Sequence, residues 1–137
     1  MGYELRDHTA DIAVAATGAT LDAVFAAVAD GLSAAHCETW PDDRGDRVSV
    51  AAAAESREAL LFEYLAELIY QRDVRGVLPV DHELTVEEDA GDWRLEGSAR
   101  GVPLDAITAR EIKAVTYSEM ELTETEDGWR AYVVFDV

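Results

Sequence analysis

A single cysteine, Cys37, in 137 residues excludes an intramolecular disulfide and fits a reducing compartment; the residue itself reads as a small side chain in or beside a helix end. Lysine is almost missing as well: ten arginines stand against one lysine, Lys113. No run approaches the ~20 apolar residues of a membrane span, and the opening Met1-Gly2-Tyr3-Glu4 has neither the basic nor the apolar part of a secretion signal. The expectation is a soluble, cytoplasmic protein with no membrane partner. The usual catalytic signatures are missing too: there is no Walker loop, strand-to-helix GxGxxG, HExxH, CxxC or GxSxG. His8, His36 and His82 are scattered, with no i, i+4 pair for zinc. A self-contained NTPase, zinc hydrolase or serine esterase is therefore a poor reading.

What the chain has in excess is acid. Eleven basic against 29 acidic residues give a net charge of −18, yet 49% of the residues are hydrophobic, too many for a disordered acidic tail. Residues 1–137 are read as one domain, long enough to bury a core unaided. At this charge the surface repels phosphate at long range, so no direct nucleic-acid binding is expected. Abundant Asp, Glu and Ala with little Lys suggests a halophilic source, where a Debye length of roughly 3 Å at 1 M salt screens self-repulsion. That reading requires stability to rise from dilute buffer to molar salt; an acidic mesophilic protein from a GC-rich genome would not show the rise.

Periodicity supplies the elements. Tyr3 and Leu5 alternate with Glu4 and Arg6, Asp7 to Asp11 forms a polar turn, and Ile12 to Ala16 resumes as a strand. Thr20 is a candidate N-cap for a helix in which Leu21, Val24, Phe25, Val28 and Leu32 form one stripe ending near Ala35. Trp40 to Asp46 is a loop, and Arg47 to Ala51 alternates as a strand. Ser56 caps a second helix whose inner face holds Leu60, Leu61, Tyr64, Leu65, Leu68 and Ile69. Glu58, Glu63, Glu67 and Arg72 are placed mostly outside that face, and Gly76 and Pro79 mark its end. Strands follow over 80–86, 93–99, 112–122 and 129–137, with hairpin turns at 89–92 and 126–128 and a loop or helical turn at 103–110. The pattern predicts an α+β two-layer sandwich: a mostly antiparallel β-sheet with two α-helices packed on one face.

Three features could carry chemistry. Asp7, His8, Thr9 and Asp11 cluster at the first turn, where side-chain-to-backbone hydrogen bonds already account for Asp7 and Thr9. Asp136-Val137 ends an apolar strand; a terminal carboxylate beside an Asp offers hard oxygens to Ca²⁺ or Mg²⁺ if another carboxylate comes near. Glu111-Ile112-Lys113-Ala114-Val115-Thr116-Tyr117 holds the only lysine, which either survived drift or was kept because arginine cannot replace a compact, mobile ammonium.

Asp7-His8-Thr9-Ala10-Asp11-Ile12, Glu111 to Tyr117 and Trp129 to Val137 together resemble the archease family, in order and from end to end of the chain. The resemblance implies a sheet with two helices and no catalysis of its own. It also implies a role as accessory protein to an RtcB-type tRNA-splicing ligase, promoting guanylylation and multiple turnover of that ligase and broadening its use of nucleoside triphosphates. By position it implies a divalent-metal site at Asp11, Asp136 and the main-chain or terminal oxygen of Val137, with calcium first and magnesium or manganese as alternatives. Lys113 falls on the lysine that the family's activity requires. The chain departs from the family at Ser118, where histidine is usual; Ser is a poor proton carrier near pH 7 and a weak metal ligand. His8 is a candidate to support the site in its place.

Two other classes remain. A metal-dependent small-molecule hydrolase would need a closed pocket beside Asp11 and a base, for which His8 and Glu111 are the nominees. A chaperone-like binding module would show an exposed apolar patch and no need of Lys113.

Overall fold

The computed structural model describes the backbone of residues 2–8 and 11–137, and the side chains of residues 2–5 and 11–137. Seven strands and two α-helices follow in the order β1 (Gly2–His8), β2 (Asp11–Gly18), α1 (Leu21–His36), β3 (Asp46–Ala54), α2 (Arg57–Arg75), β4 (Val77–Asp89), β5 (Asp92–Pro103), β6 (Ala114–Thr125) and β7 (Gly128–Asp136). A short 3-10 turn, Leu104–Ala106, interrupts β5 and β6, where a loop or helical turn was expected.

Both helices begin where their caps place them. The Thr20 hydroxyl accepts from Ala23 N and the Ser56 hydroxyl from Ala59 N, each at 3.1 Å, satisfying one of the orphan donors of each first turn. Replacing Ser56 with alanine is expected to cost about 1 kcal/mol, read as a lower urea midpoint at unchanged slope. Helix α2 ends on Gly76 in the left-handed conformation (φ 64°, ψ 37°), whose N–H bonds Arg72 O, and Cys37 closes α1 as a buried C-cap.

The expected α+β architecture is present, and all strand pairs are antiparallel, but the strands divide between two sheets. One has the order β1-β2-β7-β6, the other β3-β5-β4. Helix α1 packs on β1, β2 and β7 of the first and on β4 of the second; α2 packs on β3, β4 and β5 of the second and on β6 of the first. One core therefore joins both sheets through the helices: Ile12, Val14, Val133 and Phe135 meet Phe25, Val28, Leu61 and Leu65. At the N-terminus of α2, the Arg57 guanidinium lies 5.7 Å from the Trp93 ring centre and 5.0 Å from that of Trp129, one indole from each sheet.

Irregularity is concentrated at two bulges. In β4 the register shifts between Val80 and Glu83, with Asp81 at φ 51°. Gly97 faces that shift, and a Cβ there would fall 2.1 Å from Glu83 O, so no other residue fits without moving backbone. In β6 the register shifts between Thr116 and Glu121, with Glu119 at φ 59°.

Candidate functional site

Alternation decides which side chains leave the core. Ile12 and Phe135 are register partners and both belong to the buried cluster, as does Val115 opposite Phe135. The next row, Asp11 opposite Asp136 opposite Ala114, therefore projects to the other face of the sheet, away from the helices. Directly opposed residues on antiparallel strands place their Cβ atoms roughly 4.5–5.5 Å apart. Two carboxylates from the two ends of the chain thus share one corner of the sheet, Asp11 half-buried and Asp136 exposed. Among the described residues no basic group lies within ion-pair distance of Asp136.

The lysine-bearing segment is tied to the same corner. Lys113 N donates to Asp136 O at 2.8 Å, the preceding Ile112 is fully buried in the core and the following Ala114 pairs with Asp136, so the backbone on both sides of Lys113 is anchored. The strand expected from residue 112 starts at Ala114, which leaves Lys113 in the loop just before it. Lys113 is exposed, and among the described residues no carboxylate lies within ion-pair distance of it. Val137 follows Asp136 directly and packs partly against the core.

The supporting residues divide. His8 is the register partner of Asp11 across β1 and β2, so its backbone belongs to the same row, but its side chain, with those of Asp7 and Thr9, lies outside the described residues. Glu111 is exposed and lines a hollow of about 440 Å³ with Arg72, Asp73 and Arg110. Ser118 N bonds the Thr116 hydroxyl at 3.2 Å within the β6 bulge. Among the described residues no three His, Cys, Asp or Glu side chains are gathered closely enough to hold a metal by themselves, so a third donor at this corner has to come from elsewhere, such as the oxygens of Val137. A second hollow, of about 550 Å³, lies over Tyr3, Ala15, Tyr132 and Arg130 on the first sheet. Asp11, Asp136 and Lys113 line neither hollow.

A second polar cluster is buried between α1, α2 and β4. Contrary to the expectation that it lies outside the apolar face of α2, Arg72 is 6% exposed. It stands four residues after Leu68 and seven after Leu65, so the helical repeat itself puts it on the inner face. Its Nη1 donates to His36 Nε2 at 2.7 Å, and its Nη2 pairs with Asp73 at 2.7 Å. His36 Nδ1 in turn donates to Leu32 O at 3.0 Å, which fixes a neutral ring with Nε2 as acceptor. Nearby, Ser33 Oγ lies 2.7 Å from Pro79 O and 2.8 Å from His82 Nε2, while His82 Nδ1 is buried without a hydrogen-bond partner. Burial, with the neighbouring Arg72 charge as a smaller cause, holds His36 down at about 4; burial does the same for His82. Around Ser33, His36 and His82 there is no room for a ligand, and only the Arg72–Asp73 edge of the cluster meets a hollow, so it reads as structural.

A family model described as the Archease protein family matches residues 3–137. Among similar proteins, the "Protein archease" of Pyrococcus furiosus is 32% identical over 139 aligned residues, covering 98% of each chain. That of Archaeoglobus fulgidus is 33% identical over 138, covering 100% of each. A solution structure of a Methanobacterium thermoautotrophicum protein superimposes with a TM-score of 0.87 at 28% identity, covering 99% of both chains. A Thermotoga maritima crystal structure, described as an archease and "possible chaperone", shares the fold with a TM-score of 0.64 at 19% identity, covering 98% of this chain and 96% of that one.

Proposed function

The chain belongs to the archease family, and from that premise we propose that it serves an RtcB-type tRNA-splicing ligase as a non-catalytic activator, promoting guanylylation of the ligase and its repeated turnover. The observation that carries this reading is the convergence at one corner of Asp11, Asp136 and the Lys113 backbone, three groups that the family resemblance singles out and that lie far apart in sequence.

The donor set fits a hard divalent cation. Two opposed carboxylates on a solvent-facing row repel each other when both are ionised, and an oxygen-seeking ion relieves that repulsion. Asp11, Asp136 and an oxygen of Val137 would hold it, calcium first, with magnesium or manganese as alternatives. When bound, such an ion supplies positive charge that offsets triphosphate oxygens. The remaining work belongs to the chain. Asp11 and Asp136 hold the donor geometry through the β2 and β7 ladder, Ile112 and the Asp136 carbonyl fix the Lys113 backbone, and the Lys113 ammonium faces the phosphates as the ligase nucleophile attacks. The corner lines neither of these hollows, which favours action on a second protein over enclosed small-molecule hydrolysis.

The test is a guanylylation assay on a cognate ligase with GTP and divalent metal. Substoichiometric wild type is expected to accelerate formation of ligase-guanylate and to ligate nothing alone. Asp136→Asn should lose most of the stimulation. It should also lose calcium-dependent thermal stabilisation, which for a saturated site at 100 times Kd is about 2.7 kcal/mol. Wild type that leaves the ligase rate unchanged refutes the function; full calcium stabilisation in Asp136→Asn refutes the metal site.

A further inference from the structure

The outer side of α2 carries an apolar ridge where a surface helix should be polar. Tyr70 and Val74 are 57% and 62% exposed, one helical turn apart. They continue an i, i+4 row begun by Phe62 and Ala66, both partly buried. Phe62 is capped by Tyr117 of β6, itself 55% exposed, with ring centres 4.1 Å apart and planes 7° from parallel. Tyr117, Phe62, Ala66, Tyr70 and Val74 therefore form one line across the surface, of which Phe62 and Ala66 also pack against the core while Tyr70, Val74 and Tyr117 are exposed.

That line runs beside the Lys113 segment. Its upper end is the Tyr117 stack, four residues after Lys113; near its lower end, Asp73 shares a hollow with Ile107 and Glu111, just before Lys113. The rim is acidic. Glu58 and Glu63 are exposed along the same helix, and Glu67 accepts a hydrogen bond from Gln71 rather than from a cation.

We infer that this ridge is the docking surface for a partner protein whose contacting face is an apolar groove ringed by arginine and lysine, namely the ligase of the proposed function. The inference rests on that reading for the partner's identity and on the ridge for the contact. Exposed tyrosine and valine on a rigid helix supply the desolvated centre that interfaces use for affinity, and Glu58, Glu63 and Glu67 supply the charge that selects a basic rim. A second copy of this chain would set those glutamates against themselves and −18 against −18; a nucleic acid would meet the same sign. Docking here brings Lys113 to the partner along the flank of the contact.

The experiment measures calorimetric affinity for the cognate ligase and the full titration of guanylylation for three proteins: wild type, Tyr70→Ser/Val74→Ser and Glu63→Lys. All three substituted positions face solvent, so the variants keep the fold, checked by unchanged urea midpoints. The double variant is expected to bind at least ~10-fold more weakly and to reach the wild-type stimulation plateau at correspondingly higher concentration. Glu63→Lys should weaken binding in the same direction, and the wild-type association rate should fall with added salt. Unchanged affinity in the double variant overturns the docking surface while leaving the activator reading standing. Wild type that binds through the ridge but does not stimulate overturns the activator reading and leaves the docking surface. Concentration-dependent dimerisation abolished by Tyr70→Ser replaces the basic partner with a second copy and overturns the inference.

Discussion

Lys113→Ala is expected to abolish stimulation of the ligase while leaving its affinity for the ligase within two-fold of wild type. In a chain of −18 a lone ammonium would ordinarily be neutralised by a neighbouring carboxylate, yet Lys113 is exposed and, among the described residues, has none within ion-pair distance. Its backbone is held at both sides, by Ile112 in the core and by the pairing of Ala114 with Asp136, so the flexible part is the side chain alone. A cation on an anchored backbone, offered to developing phosphate charge, acts on the transition state, and removing one such group costs roughly 100-fold or more in rate. Lys113→Arg keeps the charge but substitutes a broad planar fork for a compact ammonium, so it should recover only a small part of the plateau. Titrating each variant against a fixed amount of ligase separates plateau from half-saturation. A plateau for Lys113→Ala within two-fold of wild type would remove the lysine from the mechanism.

Much of the local structure was legible because it depends on near neighbours. Thr20, Ser56 and Gly76 act as caps through groups three or four residues away, and the turn after Asp89 works through Ala90 and Gly91 at φ 55° and 89°. The division into two sheets was not legible. It depends on pairings such as β3 with β5 and β2 with β7, and an alternating strand carries no mark of its partner. The corner shows the same limit. Asp11, Asp136 and Lys113 were each visible as residues, but only the register Asp11 to Asp136 to Ala114 makes them neighbours; before it, their association rested on family resemblance alone.

Arg72 illustrates a different failure. Its position in the helical repeat is inward, and its residue type outvoted its position. Burial became tolerable because His36 presents an acceptor nitrogen to one arm of the guanidinium and Asp73 a carboxylate to the other. His36 carries its own inward signal, standing four residues after Leu32 on the α1 stripe. His82 gives no such sign: nothing in its strand pattern shows that Ser33 of α1 meets its ring, while also bonding Pro79 O three residues earlier in β4.

That enclosure makes the fold acid-labile in a defined window. His36 and His82 are held at about 4 in the folded chain, against about 6.5 when unfolded. Because the unfolded state binds these protons first, the stability is fully present above pH 6.5 and is lost as the pH falls toward 4. At pH 4.5 the loss is about 2–3 kcal/mol per histidine; the full figure applies to His36, which is 3% exposed, and a smaller one to the half-buried His82. The charges around the pair act both ways: Arg72, Arg110 and Arg47 oppose protonation, Asp73 and Asp81 favour it. Asp30 works in the opposite direction. Partial burial of the carboxyl and the nearby Asp81 charge raise it to about 6, so acid relieves it, but much of the residue meets water and screening makes its share the lesser one. Urea midpoints from pH 7 to 4.5 in molar KCl, where the −18 self-repulsion is screened, should therefore fall steeply for wild type. The double variant His36→Gln/His82→Gln starts lower at pH 7, because flexible amides replace two packed rings, one of them the rigid acceptor of Arg72, and then changes little, since neither amide titrates. Equal slopes for the two proteins would show that the histidines protonate without loss in the folded state, and the acid lability would then belong to the carboxylates.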